Sequence, residues 1–255
     1  MCDVDWNAVW EAELHSTSRR FLDDGSFWDD RVEGVRGNVS FGREMLDWQL
    51  SILDCDGDWK CLDIGCGCGR LSIPLSKQCR SVTCLDPSEK MLSCLRHEAE
   101  TMGATNIEVV NSYWQDYRPT SCYDMSFASF SVFMHELPKQ LMRMSEISDR
   151  VVIFASDELR VPLEVQRGLF GKEVTKHTDV EMIEGVAEQC GLNPVTVRRS
   201  FERATRVRSV EETAEALGPM FDMDASDPKL ISYIAEHDLT KTDGMKRIGA
   251  VMWEC

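Results

Sequence analysis

The stretch CLDIGCGCGRLSIPLSK, Cys61 to Lys77, decides how the rest of the chain is read. A short apolar run meets three glycines that alternate with two cysteines, and a second apolar segment follows. Three kinds of loop share this outline: a cysteine metal loop, a dinucleotide-binding turn, and the nucleotide loop of another enzyme class. Spacing separates them. Cys61, Cys66 and Cys68 lack zinc or iron–sulfur spacing, and no C-x-x-C occurs in the chain. The dinucleotide fingerprint G-x-G-x-x-G needs its third glycine for close helix–strand packing, and counted from Gly65 and Gly67 that place is Arg70. A phosphate-binding P-loop needs a Gly-Lys-Ser/Thr that does not follow here.

Outward from this stretch, strands and helices alternate. WKCLDIG, SVTCLD, IEVVN, YDMSFASFSVF and RVVIFAS read as strands. Helices are expected over 70–77, 88–102, 138–147 and 179–191. The chain then gives two further strands, VTVRRSF and GMKRIGAVMWE, around helices near 209–217 and 228–236. Such alternation predicts an α/β fold, a doubly wound, mostly parallel sheet covered by helices on both faces. The last strand follows an Asp243-Gly244 turn and reads as a return strand inserted beside its neighbour. Residues 56–255 are taken as this domain, with a variable substrate loop near 156–177.

Residues 1–55 differ in character. They look helical, with glycine breaks and with Trp6, Trp10, Phe27, Trp28 and Trp48. Either these helices pack on the core, or they form an aromatic lid over a ligand pocket. The lid reading covers Asp3–Gly37 and makes Phe27, Trp28 and Arg31 candidates for facing the ligand.

The 255 residues are 43% hydrophobic and 28% charged, ordinary for a globular chain with one sizeable core. A net charge of -16 repels phosphate backbones and anionic lipid over most of the surface, so neither nucleic acid nor membrane is an expected partner. The basic stretch VTVRRSFERATRVR, Val195–Arg208, reads as a solvated face beside an edge strand. The acidic N-terminal residues lack the apolar segment of a signal peptide, and no run approaches 18 apolar residues. The chain therefore reads as cytoplasmic, with its eleven cysteines as free thiols and no metal site expected.

Ligands of open parallel sheets bind beyond the carboxyl ends of the strands, where the glycine loop lies. Glycines there let the backbone turn sharply and a ligand come close. Asp86 ends the second strand, and an acidic residue about 20 positions beyond the glycines accepts hydrogen bonds from ribose hydroxyls. LDIGCGCGR and LDPSEKML, followed in order by VVNSYWQDY and YDMSFASFSVFMHEL, resemble the motifs of class I S-adenosylmethionine-dependent methyltransferases. The resemblance implies that family's sheet order 3-2-1-4-5-7-6, S-adenosylmethionine as cofactor, and a methyltransferase acting on a small-molecule acceptor as a monomer or dimer. It implies that Asp63, Gly65, Cys66 and Gly67 border the methionyl part, without chemistry for the Cys66 thiol. Asp86 would take the ribose hydroxyls, and Pro87, Met91, Ser112, Tyr113 and Trp114 would surround the adenine. Ser112 stands where the family commonly has an acidic residue. Ser129 and Phe130 would face the methyl group, and His135 would be a general base where the acceptor must lose a proton. A protein methyltransferase or partner-regulated subunit, and a non-catalytic cofactor-binding protein, are the alternatives.

Overall fold

Seven strands carry the molecule: β1 (Lys60–Ile64), β2 (Ser81–Asp86), β3 (Ile107–Asn111), β4 (Tyr123–Ser129), β5 (Ser148–Ser156), β6 (Val195–Glu202) and β7 (Met245–Glu254). The computed structural model describes residues 4–14, 25–36, 42–159, 163–171, 176–202, 207–218, 223–241 and 244–255. The strands form one sheet in the order β3-β2-β1-β4-β5-β7-β6, the order the resemblance implied. Strand β7 runs antiparallel to both of its neighbours, β5 and β6, while the remaining pairs are parallel.

The helices are α1 (Trp6–Leu14), α2 (Gly25–Asp29), α3 (Val32–Arg36), α4 (Arg43–Leu53), α5 (Ser72–Leu75), α6 (Glu89–Thr101), α7 (Leu137–Ile147), α8 (Leu163–Phe170), α9 (Asp179–Gln189), α10 (Val210–Leu217) and α11 (Pro228–Glu236). Their ends carry the expected signals. Ser88 caps α6 by accepting from the Met91 amide, and Thr178 with Glu181 forms a capping box on α9.

Side chains alternate across the pleat with period two. In β5, Val151 and Ile153 enter the core shared with α1, α7 and α9. Val152 and Phe154 enter the opposite core, against α4, α5 and α6. Trp10 of α1 is fully buried, and Met45, Trp48 and Leu53 of α4 are core residues. Residues 1–55 thus divide: α1 and α4 pack on the sheet, and α2 lies beside the carboxyl ends of β1 and β2. Residues 1–3, 15–24 and 37–41 of that region lie outside the described residues.

Three local expectations change. Regular α geometry near the glycine loop spans Ser72–Leu75, with helix-type bonds from Ile73 to Gly69 and from Ser76 to Ser72 on either side. Strand β4 stops at Ser129 because Phe130 turns to φ 56°, left-handed backbone that ends pairing. The 156–177 segment, of which 160–162 and 172–175 fall outside the description, contributes α8 to a satellite cluster. There Leu169 packs with Ala214, Leu230 and Ile234 of α10 and α11.

Arg198 pairs with Glu184 and Asp157, and Arg199 with Glu44, so the arginines of β6 in this stretch are charge-compensated. Its residues 203–206 lie outside the description. No helix among the described residues is long and apolar enough to cross a membrane.

Candidate functional site

A cleft of about 1080 Å³ opens at the carboxyl ends of β1, β2 and β4. Its floor is the turn after β1. Gly65, Gly67 and Gly69 have φ of 73°, 53° and 82°, the left-handed region that glycine enters without a Cβ penalty. Gly65 has a second reason to lack a side chain: an added Cβ would lie 2.3 Å from Cβ of Ser131. Ser131 is held there by donating its hydroxyl to the Ile64 carbonyl at 2.5 Å.

Two carboxylates flank the turn. Asp86 accepts the Gly67 amide hydrogen on one oxygen and that of Ser88 on the other, each at 2.9 Å. Burial pushes its carboxyl above the usual range, opposed by those two hydrogen bonds. An ionised carboxylate offers about four lone-pair sites, so two remain for a pair of neighbouring hydroxyls. Asp63 is 3% exposed and accepts from the Ser72 hydroxyl. Burial, helped by nearby Asp86, raises its carboxyl to about 7 against the pull of Ser72 and Arg70.

Arg70 is the residue that argued against a dinucleotide, and it lines the cleft. Its guanidinium donates to Oε1 of Gln49 at 2.6 Å and to Oγ of Ser129 at 3.3 Å. Burial lowers its pKa to about 10, with Asp63 opposing. The three groups nearest the turn are therefore a cation and two carboxylates.

The adenine-side residues gather along β2, α6 and the segment after β3. Pro87, Met91, Ser112, Tyr113 and Trp114 all border the cleft, and Met91 and Trp114 are buried. Ser112 donates its amide to the Asp86 carbonyl, and Asn111 donates its side-chain amide to the Asp86 and Pro87 carbonyls. The Trp114 indole N–H is buried without a hydrogen-bond acceptor among the described residues. Cys66 also borders the cleft, and burial raises its thiol well above the ordinary range.

Helix α2 roofs this side. Gly25 donates its amide to the Tyr113 hydroxyl at 3.2 Å, and Asp29 accepts the Ser88 hydroxyl at 2.6 Å. Trp28 faces the cleft and lies roughly parallel to Phe133, with centroids 6.5 Å apart. Arg31 departs from expectation. It folds back onto Phe27, donating to that residue's carbonyl at 2.7 Å with the guanidinium 3.5 Å from the ring centre, and it does not border the cleft. Short reach explains this: the Phe27 face and carbonyl on the same helical turn satisfy the cation locally.

At the other end of the cleft stand Ser129, Phe130 and His135. His135 Nδ1 lies 2.7 Å from Oε2 of Glu11, whose other oxygen accepts the Glu136 amide at 2.6 Å. Helix α1 is held beside this segment by Trp10, which donates its indole N–H to the Met134 carbonyl at 2.8 Å. Sequence reading missed Glu11, Gln49, Arg70 and Ser131. Arg70 and Ser131 adjoin motif residues, whereas Glu11 lies 124 positions from His135 and carries no local signal.

The residues fit S-adenosylmethionine by the chemistry of their donor set. A strand-end carboxylate suits a ribose diol, a buried carboxylate and a guanidinium suit an amino-acid zwitterion, and an apolar wall suits a base.

Residues 61–152 match the family model described as "Methyltransferase domain". A protein of Haemophilus influenzae is 27% identical over 134 residues, 51% of this chain and 49% of its own length. The 23S rRNA (uracil(1939)-C(5))-methyltransferase of Xanthomonas campestris is 27% identical over 97 residues, 38% of this chain and 22% of its own. The chain thus spans half or less of the length of these relatives. Among solved structures, the magnesium protoporphyrin IX methyltransferase of Synechocystis PCC 6803 with bound SAH superposes with a TM-score of 0.52 at 18% identity. That match covers 92% of this chain and 97% of the other, and it speaks for the fold. The glycine turn and Asp86 lie inside the segment that matches the methyltransferase-domain model, and the sheet has the Rossmann-like order 3-2-1-4-5-7-6 of a methyltransferase fold.

Proposed function

We propose that this chain transfers a methyl group from S-adenosylmethionine to a small molecule held in the cleft between Trp28, Phe133 and His135. The observation that carries this reading is the cleft's form. It is a bounded recess of about 1080 Å³ roofed by α2, at the upper end of ordinary small-ligand pockets and large enough for cofactor and acceptor together. The compensated arginines of β6 and a net charge of -16 favour a small acceptor over a polyanion. Free thiols and the overall composition suit a reducing compartment such as the cytoplasm.

The cofactor supplies a methyl already activated on a sulfonium. Asp86 and Gly67 position the ribose end, while Asp63 and Arg70 hold the amino-acid end. Trp28, Phe130 and Phe133 exclude water and orient the acceptor. Glu11 fixes His135 in the tautomer with hydrogen on Nδ1, so that Nε2 takes the acceptor's proton. Phe130, strained at φ 56°, keeps the end of β4 turned beneath the cleft.

Isothermal calorimetry with S-adenosylhomocysteine and incubation of a fractionated metabolite extract with labelled S-adenosylmethionine test the proposal. Binding of S-adenosylhomocysteine with label appearing in a low-molecular-weight fraction is expected. Binding without any transfer, or label found only in protein or RNA, would overturn the small-molecule reading.

A further inference from the structure

Away from the cleft, Cys55, Cys61 and Cys79 bring their sulfurs within 4.8 Å of one another. They come from three segments. Cys55 lies in the loop between α4 and β1, Cys61 is in β1, and Cys79 lies in the turn before β2. This is the amino-terminal end of β1 and β2, whereas the glycine turn sits at the carboxyl end. Cys61 and Cys79 are buried and Cys55 is half-buried. Cysteine used only as a small apolar group has no reason to turn sulfur toward sulfur. Here three do so, although none is near another in a C-x-x-C spacing.

We propose that Cys55, Cys61 and Cys79 form a three-thiolate site for one zinc ion, with a solvent water as its fourth ligand. Zinc–sulfur bonds of about 2.3 Å in tetrahedral geometry put ligand sulfurs about 3.8 Å apart, so side-chain rotation closing the triangle by about 1 Å suffices. The half-buried Cys55 side leaves a way in for the ion and room for water. Three soft donors without a carboxylate exclude magnesium and calcium and select zinc or cuprous copper. Of these two, zinc leaves a net charge of one on the tris-thiolate and cuprous copper leaves two. Beside a fully buried Cys61 the smaller residual charge is favoured.

Burial, then Cys79, pushes the Cys55 thiol up to about 12, hydrogen bonding to Cys79 ahead of burial pushes Cys61 up, and the hydrogen bond from Cys61 draws Cys79 down. The three thiols give their protons to buffer as sulfur–zinc bonds form, so affinity falls as pH falls. An ion held there ties the end of α4 to β1 and β2.

The reduced full chain is titrated with Zn²⁺ against a chromogenic chelator and, separately, with Co²⁺ as a visible stand-in. One ion per chain is expected, with an intense thiolate-to-cobalt charge-transfer band. X-ray absorption of the zinc form is expected to give three sulfurs and one lighter atom. Cys55→Ser disturbs the core least and should keep the circular-dichroism spectrum. It should lose more than about 100-fold in zinc affinity, since even outer-sphere partners of a metal site cost 10–100-fold. Cys122→Ser, exposed and outside the trio, should bind like the unsubstituted chain. No uptake, a zinc shell without three sulfurs, or unchanged affinity in Cys55→Ser would overturn the site. Cuprous copper that excess zinc cannot keep out of the trio would overturn the choice of metal.

Discussion

Asp86 closes a bond across the cleft floor: its Oδ2 accepts the amide hydrogen of Gly67 at 2.9 Å. The carboxylate assigned to the ribose therefore also fixes the turn that lines the methionyl part. Asp86→Ala removes a charge-assisted contact of roughly 1.5–3 kcal/mol, so S-adenosylhomocysteine affinity should fall about 10- to 150-fold. Calorimetry checks the loss, and unchanged affinity would remove the ribose assignment. Amide exchange at Gly67 should quicken in the same variant even without ligand.

Asp63 makes the site pH-sensitive. Burial raises its carboxyl from 3.8 to about 7, so the folded chain binds this proton more tightly than the unfolded chain. Its contribution to stability is complete below pH 3.8 and is lost as pH rises through about 7. Asp63→Asn should thus raise the melting temperature of the ligand-free protein at both pH values, and more at pH 8 than at pH 5, where only part of the loss has occurred. The same variant should bind S-adenosylhomocysteine more weakly at pH 8, where the ionised carboxylate meets the ammonium group. Equal melting shifts at both pH values in scanning calorimetry would refute the buried titration.

Gly65 is constrained twice, by its φ of 73° and by the side chain of Ser131. Gly65→Ala should cost at least about 1 kcal/mol of stability through the backbone alone, with the clash added. S-adenosylhomocysteine binding should fall with it. Placing Ser131→Gly in the same chain removes the clash and leaves the backbone cost. A double-mutant cycle by urea unfolding should therefore give positive coupling, and strict additivity would mean that the turn relaxes away from Ser131.

His135 and Glu11 act as a pair in the proposed chemistry. His135→Gln should lower turnover by about 10²–10⁴-fold for an acceptor that must be deprotonated, with S-adenosylhomocysteine affinity nearly constant. Glu11→Gln should lower turnover less, because the amide holds the imidazole ring and its tautomer less firmly. Loss of affinity and turnover together in His135→Gln would make the histidine structural.

The α2 segment gives the lid its measurable form. Amides in 25–36 should exchange more slowly when S-adenosylhomocysteine is added, while those of α4 stay as they were. Equal protection with and without ligand would make α2 a fixed wall.

What the sequence made legible was local. The strand–turn–helix at Cys61–Leu75, the Asp86 strand end and the late return strand are each written in contiguous residues whose spacing fixes backbone geometry. Less legible was whatever one segment does to another. Glu11 reaches His135 only because Trp10 docks α1 on the Met134 carbonyl, and neither residue signals this in its own neighbourhood. Aromatic content marked residues 1–55 as special without sorting them. Trp10 and Trp48 are core residues and Trp28 borders the cleft, a distinction set by the faces against which α1, α4 and α2 pack. The cysteine trio escaped spacing rules for a similar reason, since a parallel sheet places β1 beside β2 whatever the length between them.

The placement of β7 bears on how the chain is made. Among the described residues, strand β6 has β7 as its sole sheet neighbour, and β7 fills the gap between β5 and β6. During synthesis the first five strands can pair as they emerge, but β6 must wait with one face and both edges open until Glu254 has left the ribosome. Its arginines, Arg198 and Arg199, keep that waiting strand charged against self-association. A ribosome stalled with β7 still in its exit tunnel would hold a chain with a finished cofactor half and an unpaired strand, a species for which chaperones and proteases would compete.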